Sequence, residues 1–532
     1  MPKLHRIIAA AAALTGPLVT AIPSNAGITW PQEQLLPSFA KPAPTQDLIA
    51  PSTAKGKSAN AEAALFSSLK GIVNRKKPRI WTCEGPGKDK YVWLTELGLA
   101  YKEPASPWSL ISKYRSEVKG IVIYDEAQPD TLNLATTIAG SSNALVASPE
   151  LVSKLTSAPY SLPVLTDLRG KFKGKLDVYQ YLYNHYWSKA THRVLTGLNP
   201  TAVYGNLREY AVAINSAVVW LDPRQADEKK LLDKYLVSMK PGAIYMGWWA
   251  EEGSGITAAS AHGIVTCASD WSTNLSTFGG TSRKVAVRPT PAAVPPIENK
   301  IYVAFIMSDG DNFQYLEHHM HDLWLDPNRG KVPMGWTVSP AMLDAMPGVL
   351  DYYYKTATDN DCLVSGPSGY AYTYPNFWHD GKALDHFVAK SDNYCKRAGL
   401  RIITIWNTIT GGIDPKVGDA YAKNAPSLLG ITGMKASGKV TIYDKTLPGF
   451  ALSATYCGVM DHLTREIKGN SAGWDGKSPR FIILQAEPWH GLTPTDFVTF
   501  VDGLSSDYVV VRPDTIFKMI RSEKGLSADP LE

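Results

Sequence analysis

The chain has 532 residues, 44% hydrophobic and 19% charged, with a net charge of +5. That length supplies two or three domains with ample cores. The mild charge, with no basic stripe and no Arg-rich helix, excludes a nucleic-acid binder.

The chain begins MPKLHRIIAAAAALTGPLVTAIPSNAG, with Lys3 and Arg6 ahead of an apolar run and Ser24-Asn25-Ala26 as a small-x-small site. This reads as a signal peptide over 1–26, cut after Ala26, and makes the protein secreted. A membrane anchor is the weaker alternative, because Pro17 and Pro23 interrupt the run and no later stretch has the ~20 apolar residues of a span. The five cysteines (Cys83, Cys267, Cys362, Cys395, Cys457) show no zinc spacing, and in an oxidising compartment Cys362 and Cys395 form a plausible pair. "NLS" at 274–276 is a glycosylation sequon.

A polar, Pro-rich lead over 27–58 precedes an N-terminal α/β region over 59–287. Its first helix runs over 61–77 and ends on "NRKKPR", a basic run expected at a helix C-terminus facing water. Strands follow at "GIVIYD" (120–125), "ALVAS" (144–148) and "LPVLTDL" (162–168), with a helix over 227–239. Strands alternating with helices imply parallel sheet covered on both faces. "AIYMGWW" is a further strand, followed by Glu251 and Glu252, and Asp270, Trp271 and Asn274 follow "GIVTCAS". Glu251, Asp270 and Trp271 are expected to reach a cleft from this side, with helix capping as the alternative role.

"RPTPAAVPPIENK" (288–300) is a linker. Beyond it, over 301–525, strands are expected at 301–307, 334–339, 361–366, 400–407, 428–433, 479–487 and 507–513, with helices between several of them. The fold class is therefore α/β: an N-terminal parallel-sheet region and a C-terminal (β/α) barrel-like domain, irregular or short of eight strands. An open doubly wound sheet is the alternative.

In such folds the C-terminal strand ends carry the site. The first strand leaves into "SDGDNFQY", with Asp309, Asp311, Asn312 and Gln314. The second ends near Trp336, and the third in "SGPSGYAYTYP", with Tyr370, Tyr372 and Tyr374 two apart and then Trp378. The fourth ends in Trp406-Asn407, and a later one in "QAEPWHG", with Gln485, Glu487, Trp489 and His490. Carboxylates from separate strands, amides beside them and rings on the rim are the inventory of a carbohydrate site. Rings stack on sugar faces, amides bond hydroxyls, and two carboxylates work on the glycosidic bond. Against this stand simpler roles: Asp309 and Asp311 as helix caps, Glu487 as a salt-bridge partner, and the tyrosine row as packing against the neighbouring domain. His318 and His321 lie one helical turn apart, but a surface cluster is the cheaper reading than a metal pair.

Residues 369–375, Gly-Tyr-Ala-Tyr-Thr-Tyr-Pro, resemble the signature of the GxGYxYP family of putative glycoside hydrolases, with Ala371 where the signature has its second glycine. "SDGDN" (308–312) and the order of the two regions are similar too, so the resemblance spans roughly 60–520. It implies a barrel-like C-terminal domain and a carbohydrate-active role, and brings no catalytic pair with it. The residues lead to a secreted glycoside hydrolase with Asp309 and Glu487 as the pair and Asp311 as substitute for Asp309. The expected substrate is a poly- or oligosaccharide. No cofactor is expected, a divalent cation near Asp309 and Asp311 being the alternative. The rival readings are a non-catalytic carbohydrate-binding surface protein and a metal-dependent polysaccharide hydrolase or deacetylase.

Overall fold

The computed structural model describes residues 27–50, 52–83, 92–104, 106–282, 284–291, 294–408 and 411–532. The leader reading over 1–26 lies outside the described residues. Among those residues no helix is long and apolar enough to cross a membrane.

The N-terminal region is built on three small parallel sheets. In the first, Thr45–Ile49 lies between Ile80–Thr82 and Ala100–Lys102. In the second, Gly120–Ile123 lies between Ala144–Ala147 and Val164–Asp167. The third runs Ala217–Val219, Val194–Gly197, Ile244–Gly247, Val265–Ala268. The lead segment is thus not outside the fold: it supplies the central strand of the first sheet, with Leu35, Leu36 and Leu48 buried.

The helix Lys57–Lys76 packs on Arg208–Ile214 and on the strand Ala144–Ala147. Gly71 permits that close approach, since a Cβ there would meet the Glu209 carbonyl oxygen at 2.4 Å. Contrary to the sequence reading, Arg75 at its end turns inward. Its guanidinium donates to the carbonyls of Ala213 (2.9 Å) and Gly140 (2.6 Å), satisfying buried acceptors that lysine could not reach together. Asn274 of the sequon is likewise buried, its side-chain oxygen accepting from Thr82 N at 2.9 Å, so it presents no acceptor to a glycan.

The C-terminal sheet has ten strands. Ile301–Met307, Met334–Val338, Asp361–Ser365, Ile402–Ile405, Gly430–Gly433 and Leu447–Ala451 pair in parallel, each with the next. On the other flank of Ile301–Met307 lies Arg480–Ala486, then Ala454–Cys457. Leu447–Ala451 and Ala454–Cys457 are consecutive pieces of one segment. Between them Leu452 N donates to Gly433 O (2.9 Å) and Ser453 N to Ile483 O (2.8 Å). One segment therefore touches both flanks, and the sheet curls strongly into a barrel-like form. Val440–Tyr443 runs antiparallel to Leu447–Ala451 and makes the sheet mixed, and Tyr508–Val510 pairs with the first half of Ile301–Met307.

Side chains alternate across the sheet. Phe305 meets Phe497 of the helix Pro494–Asp502 on the outer face, at 5.1 Å between ring centres. Tyr302, Ala304, Ile306 and Ile483 share a cluster with Phe517 and Ile520 of the terminal helix Pro513–Glu523, which fills the concave side.

The five cysteines are free and buried, so the expected Cys362–Cys395 pair is not bridged.

Candidate active site

The strand Ile301–Met307 ends where Ser308 N donates to Ala486 O. Asp309 then takes a left-handed backbone (φ 75°), which an aspartate tolerates better than most residues. Gly310 presses on the next strand: its N–H donates to Thr337 Oγ1 at 2.9 Å, and a Cβ would lie 2.1 Å from the Thr337 carbonyl. This tight exit holds Asp309 and Asp311 at the mouth of the curled sheet, both partly accessible to solvent though ringed by protein. The residue that caps the following helix Phe313–Glu317 is Asn312, whose Oδ1 accepts from Tyr315 N at 3.0 Å. Neither aspartate caps that helix, and the Asn312 side-chain oxygen is committed to the cap.

Glu487 leaves the strand Arg480–Ala486 into the same mouth. It accepts from Trp489 N at 2.8 Å and contacts His490 Nδ1. Gly458 makes room, since a Cβ there would sit 2.0 Å from Glu487 Oε1. Trp489 joins the two exits: its main-chain N–H binds Glu487 and its indole N–H donates to Asp309. The Trp489 ring is half exposed and stacks on His319, with centres 5.1 Å apart.

A third wall comes from the N-terminal region. Thr266, in the third sheet, and Tyr372 exchange main-chain hydrogen bonds of 2.7 and 2.9 Å, so the signature segment is sewn to that sheet. Beside this seam begins the helix Glu252–Ala261. Glu251 is its N-cap, accepting from Gly253 N and Ser254 N at 2.8 Å each, so its carboxylate is spent on the helix end. Its neighbour Glu252 faces the mouth and accepts from the Tyr372 hydroxyl at 2.8 Å, with the Tyr374 hydroxyl 3.3 Å from that of Tyr372. Trp406 meets Tyr372 edge-on (5.8 Å) and Tyr456 at 5.3 Å. On the rim, Gln314 Nε2 donates to Asp270 Oδ1 at 3.0 Å, and Trp271 is half exposed.

The electrostatics are one-sided. Burial pushes the Asp309 carboxyl up to about 6 against hydrogen bonds from Trp489 and Ser308, and the charges of Glu487 and Glu252 add to the rise. Burial, then Asp309 and Glu252, hold Asp311 well above the usual carboxylate range. Glu252 and Asp270 are raised by burial, opposed by Tyr372 and Gln314 respectively. Among the described residues, no Lys or Arg forms an ion pair with any of these carboxylates or with Glu487. Among the described residues, no group of three or more His, Cys, Asp or Glu is arranged to hold a metal ion.

Three polar atoms on the concave side are buried without a partner: the Trp406 indole N–H, Gln485 Oε1 and Thr432 Oγ1. Gln485 is 1% exposed and lies two residues before Glu487, hence on the same face of its strand.

Four expected residues lie elsewhere. Trp336 is fully buried and its indole donates to Asp361 Oδ1 at 2.9 Å, toward the opposite end of the strands. Tyr370 packs on Phe387, with its hydroxyl 3.5 Å from Gly242 O. Trp378 donates to Thr373 Oγ1 at 2.8 Å and also packs on Phe387. The Asn407 side chain is used on Asn376 N (2.8 Å) and Gly412 O (3.3 Å), which fixes the loop after the signature. The tyrosine row is therefore not an exposed platform; all three rings are buried, and of the three Tyr372 bonds Glu252 while the Tyr374 hydroxyl lies against that of Tyr372. His321 is buried against Trp93, and His318 lies 3.5 Å from Glu317. Sequence reasoning did not single out Glu252, Tyr456 or His319 for the site. For Glu252 the sequence carries no signal that separates it from Glu251, because the point at which the helix starts decides which of the two caps it.

Four models of one family match the chain: the first GxGYxYP domain over 52–116, the second over 118–190, the third over 192–280, and the GxGYxYP putative glycoside hydrolase C-terminal domain over 299–521. A crystal structure of a putative hydrolase from Bacteroides thetaiotaomicron VPI-5482 is similar with a TM-score of 0.80 at 23% identity, covering 94% of this chain and 99% of that one. At that identity the likeness carries the fold. No curated protein matches. The chain belongs to the GxGYxYP putative glycoside hydrolase family.

Proposed function

We propose that the protein cleaves a glycosidic bond of a poly- or oligosaccharide with Asp309 as general acid and Glu487 as nucleophile or base. The observation that carries this reading is the Trp489 bridge. Two carboxylates from strands far apart in the chain are bound by the two N–H groups of one residue at the mouth of the curled sheet. Asp309 takes the acid role because its proton is retained up to about pH 6, so it can be delivered to the leaving oxygen. Glu487 then attacks the anomeric carbon or activates water. A carboxyl separation of about 5–5.5 Å in the substrate complex gives retention, and about 6.5–9.5 Å inversion. Trp489 and Trp271, half exposed on the rim, supply faces for sugar rings. With the leader removed on export, the substrate is an extracellular glycan.

The test is a panel of glycans with product anomers followed by NMR. Hydrolysis by the wild type, lost in Asp309→Asn and Glu487→Gln with binding retained, supports the reading. Binding without turnover by the wild type on every glycan overturns it in favour of a carbohydrate-binding protein.

A further inference from the structure

Resting on that reading, we propose that the glycan carries an amino sugar with a free ammonium group, held between Asp311 of the C-terminal sheet and Glu252 of the N-terminal region.

The mouth gathers Asp309, Asp311, Glu252 and Glu487 with no Lys or Arg paired to them among the described residues. Such a wall repels uronic acids and sulfated sugars. Among the described residues no side chain donates to Asp311, whose carboxyl is reached by its own main-chain N–H, and Glu252 accepts one hydrogen bond, from Tyr372. Each keeps lone pairs for a ligand. Neutral hydroxyls would fill them without the positive charge that lets both acids ionise. An ammonium brings three donors and the missing positive charge at once. Rings close the same space: Tyr372 and Trp406 meet edge-on, and Tyr456 lies against Trp406 while feeling the charges of both Asp311 and Glu252. Carboxylates with aromatic faces are how proteins hold ammonium groups.

Independent of the acids, two side chains more than nine-tenths buried on the concave side have an unpartnered polar atom each. Trp406 is 4% exposed with a free indole N–H, and Gln485 is 1% exposed with a free amide oxygen. They offer a donor and an acceptor for hydroxyls of the same sugar. N-acetylation would remove the charge.

The test is calorimetric titration of the full chain near neutral pH with glucosamine and galactosamine oligosaccharides, their N-acetylated forms, and neutral and uronate-bearing oligosaccharides. The amine forms are expected to bind about tenfold or more tightly than the others, the scale of one desolvated ion pair. Glu252→Gln and Asp311→Asn should each erase that preference, while Glu251→Gln, which keeps the mouth intact, retains it. Thermal melts show that the variants fold, and Glu252→Asp, which keeps the charge, should restore part of the preference. Equal binding of neutral and amine sugars, or a preference surviving in both mouth variants, overturns the inference. Cleavage of neutral glycans without amine preference removes this inference and leaves the hydrolase reading standing. Amine-selective binding without turnover does the reverse, and absence of binding to any glycan removes both.

Discussion

The two ends of the curled sheet use carboxylates in opposite ways. At the N-terminal ends of the strands, Asp361 accepts from the Trp336 indole (2.9 Å) and from Thr358 N (2.8 Å) and pairs with Arg329. Asp514 is gripped by Arg512 through two bonds of 3.0 and 2.7 Å. Asp529 meets Arg401 at 2.5 Å and Lys518 at 3.2 Å; against the effect of burial, these contacts and Leu531 N–H bring it down to about 2. At the C-terminal ends Asp309, Asp311 and Glu252 have no such cation, and all are raised. A matched carboxylate holds the fold together. An unmatched one costs stability and persists where a ligand or a proton completes it.

That contrast can be broken from either end. The largest effect is expected at the mouth: Asp309→Asn or Glu487→Gln should lower kcat by about 10²–10⁴-fold, the range of general acid–base catalysis, measured on whichever glycan the wild type cleaves. At the other end, Asp361→Ala strands Arg329 and should cost about 3–5 kcal/mol in denaturant unfolding, with activity per folded molecule unchanged.

The pH dependence sharpens the comparison. Asp309 is held up to about 6 in the folded chain, above its ordinary 3.8, with Glu487 and Glu252 as the charges facing it. Between those values the folded state keeps a proton that the unfolded state has released, so this group's contribution to stability falls as pH rises through the window. Asp309→Asn should therefore be more stable than wild type near pH 8 by about 1–3 kcal/mol and indistinguishable from it below pH 4, read by thermal melts across pH. Wild-type kcat/KM should decline on the alkaline side of about pH 6 as Asp309 loses its proton. The smallest effect is expected for Glu251→Ala, which removes a helix cap: about 1 kcal/mol of stability, with catalysis unchanged.

The strand exits were legible because buried apolar runs such as Ile301–Met307 and Arg480–Ala486 stop abruptly at acids and amides. The tyrosine row was not, because period-two alternation holds only along a strand. The strand Asp361–Ser365 has ended before Gly369, and the segment turns to pair Tyr372 with Thr266 in another sheet, which sends Tyr370 to a different core. Glu251 and Glu252 differ by one residue, and the start of the helix decides which one is free; no composition signal separates them. Trp336 sits mid-strand, so its indole runs back toward Asp361 rather than out of the strand end. The strands within 440–457 escaped notice because Asp444, Pro448 and Gly449 interrupt their pattern, while the pairing partners lie far away in the chain.

The seam between Thr266 and Tyr372 joins the wall that carries Glu252 to the C-terminal half that bears the signature. A fragment beginning at the linker would carry Asp309 and Glu487 yet arrive without the glutamate that Tyr372 orients. On the proposed reading, selectivity for the amine thereby becomes a gauge of how well the two halves of the molecule are docked, and a mutation that loosens the junction blunts it without touching a reacting atom.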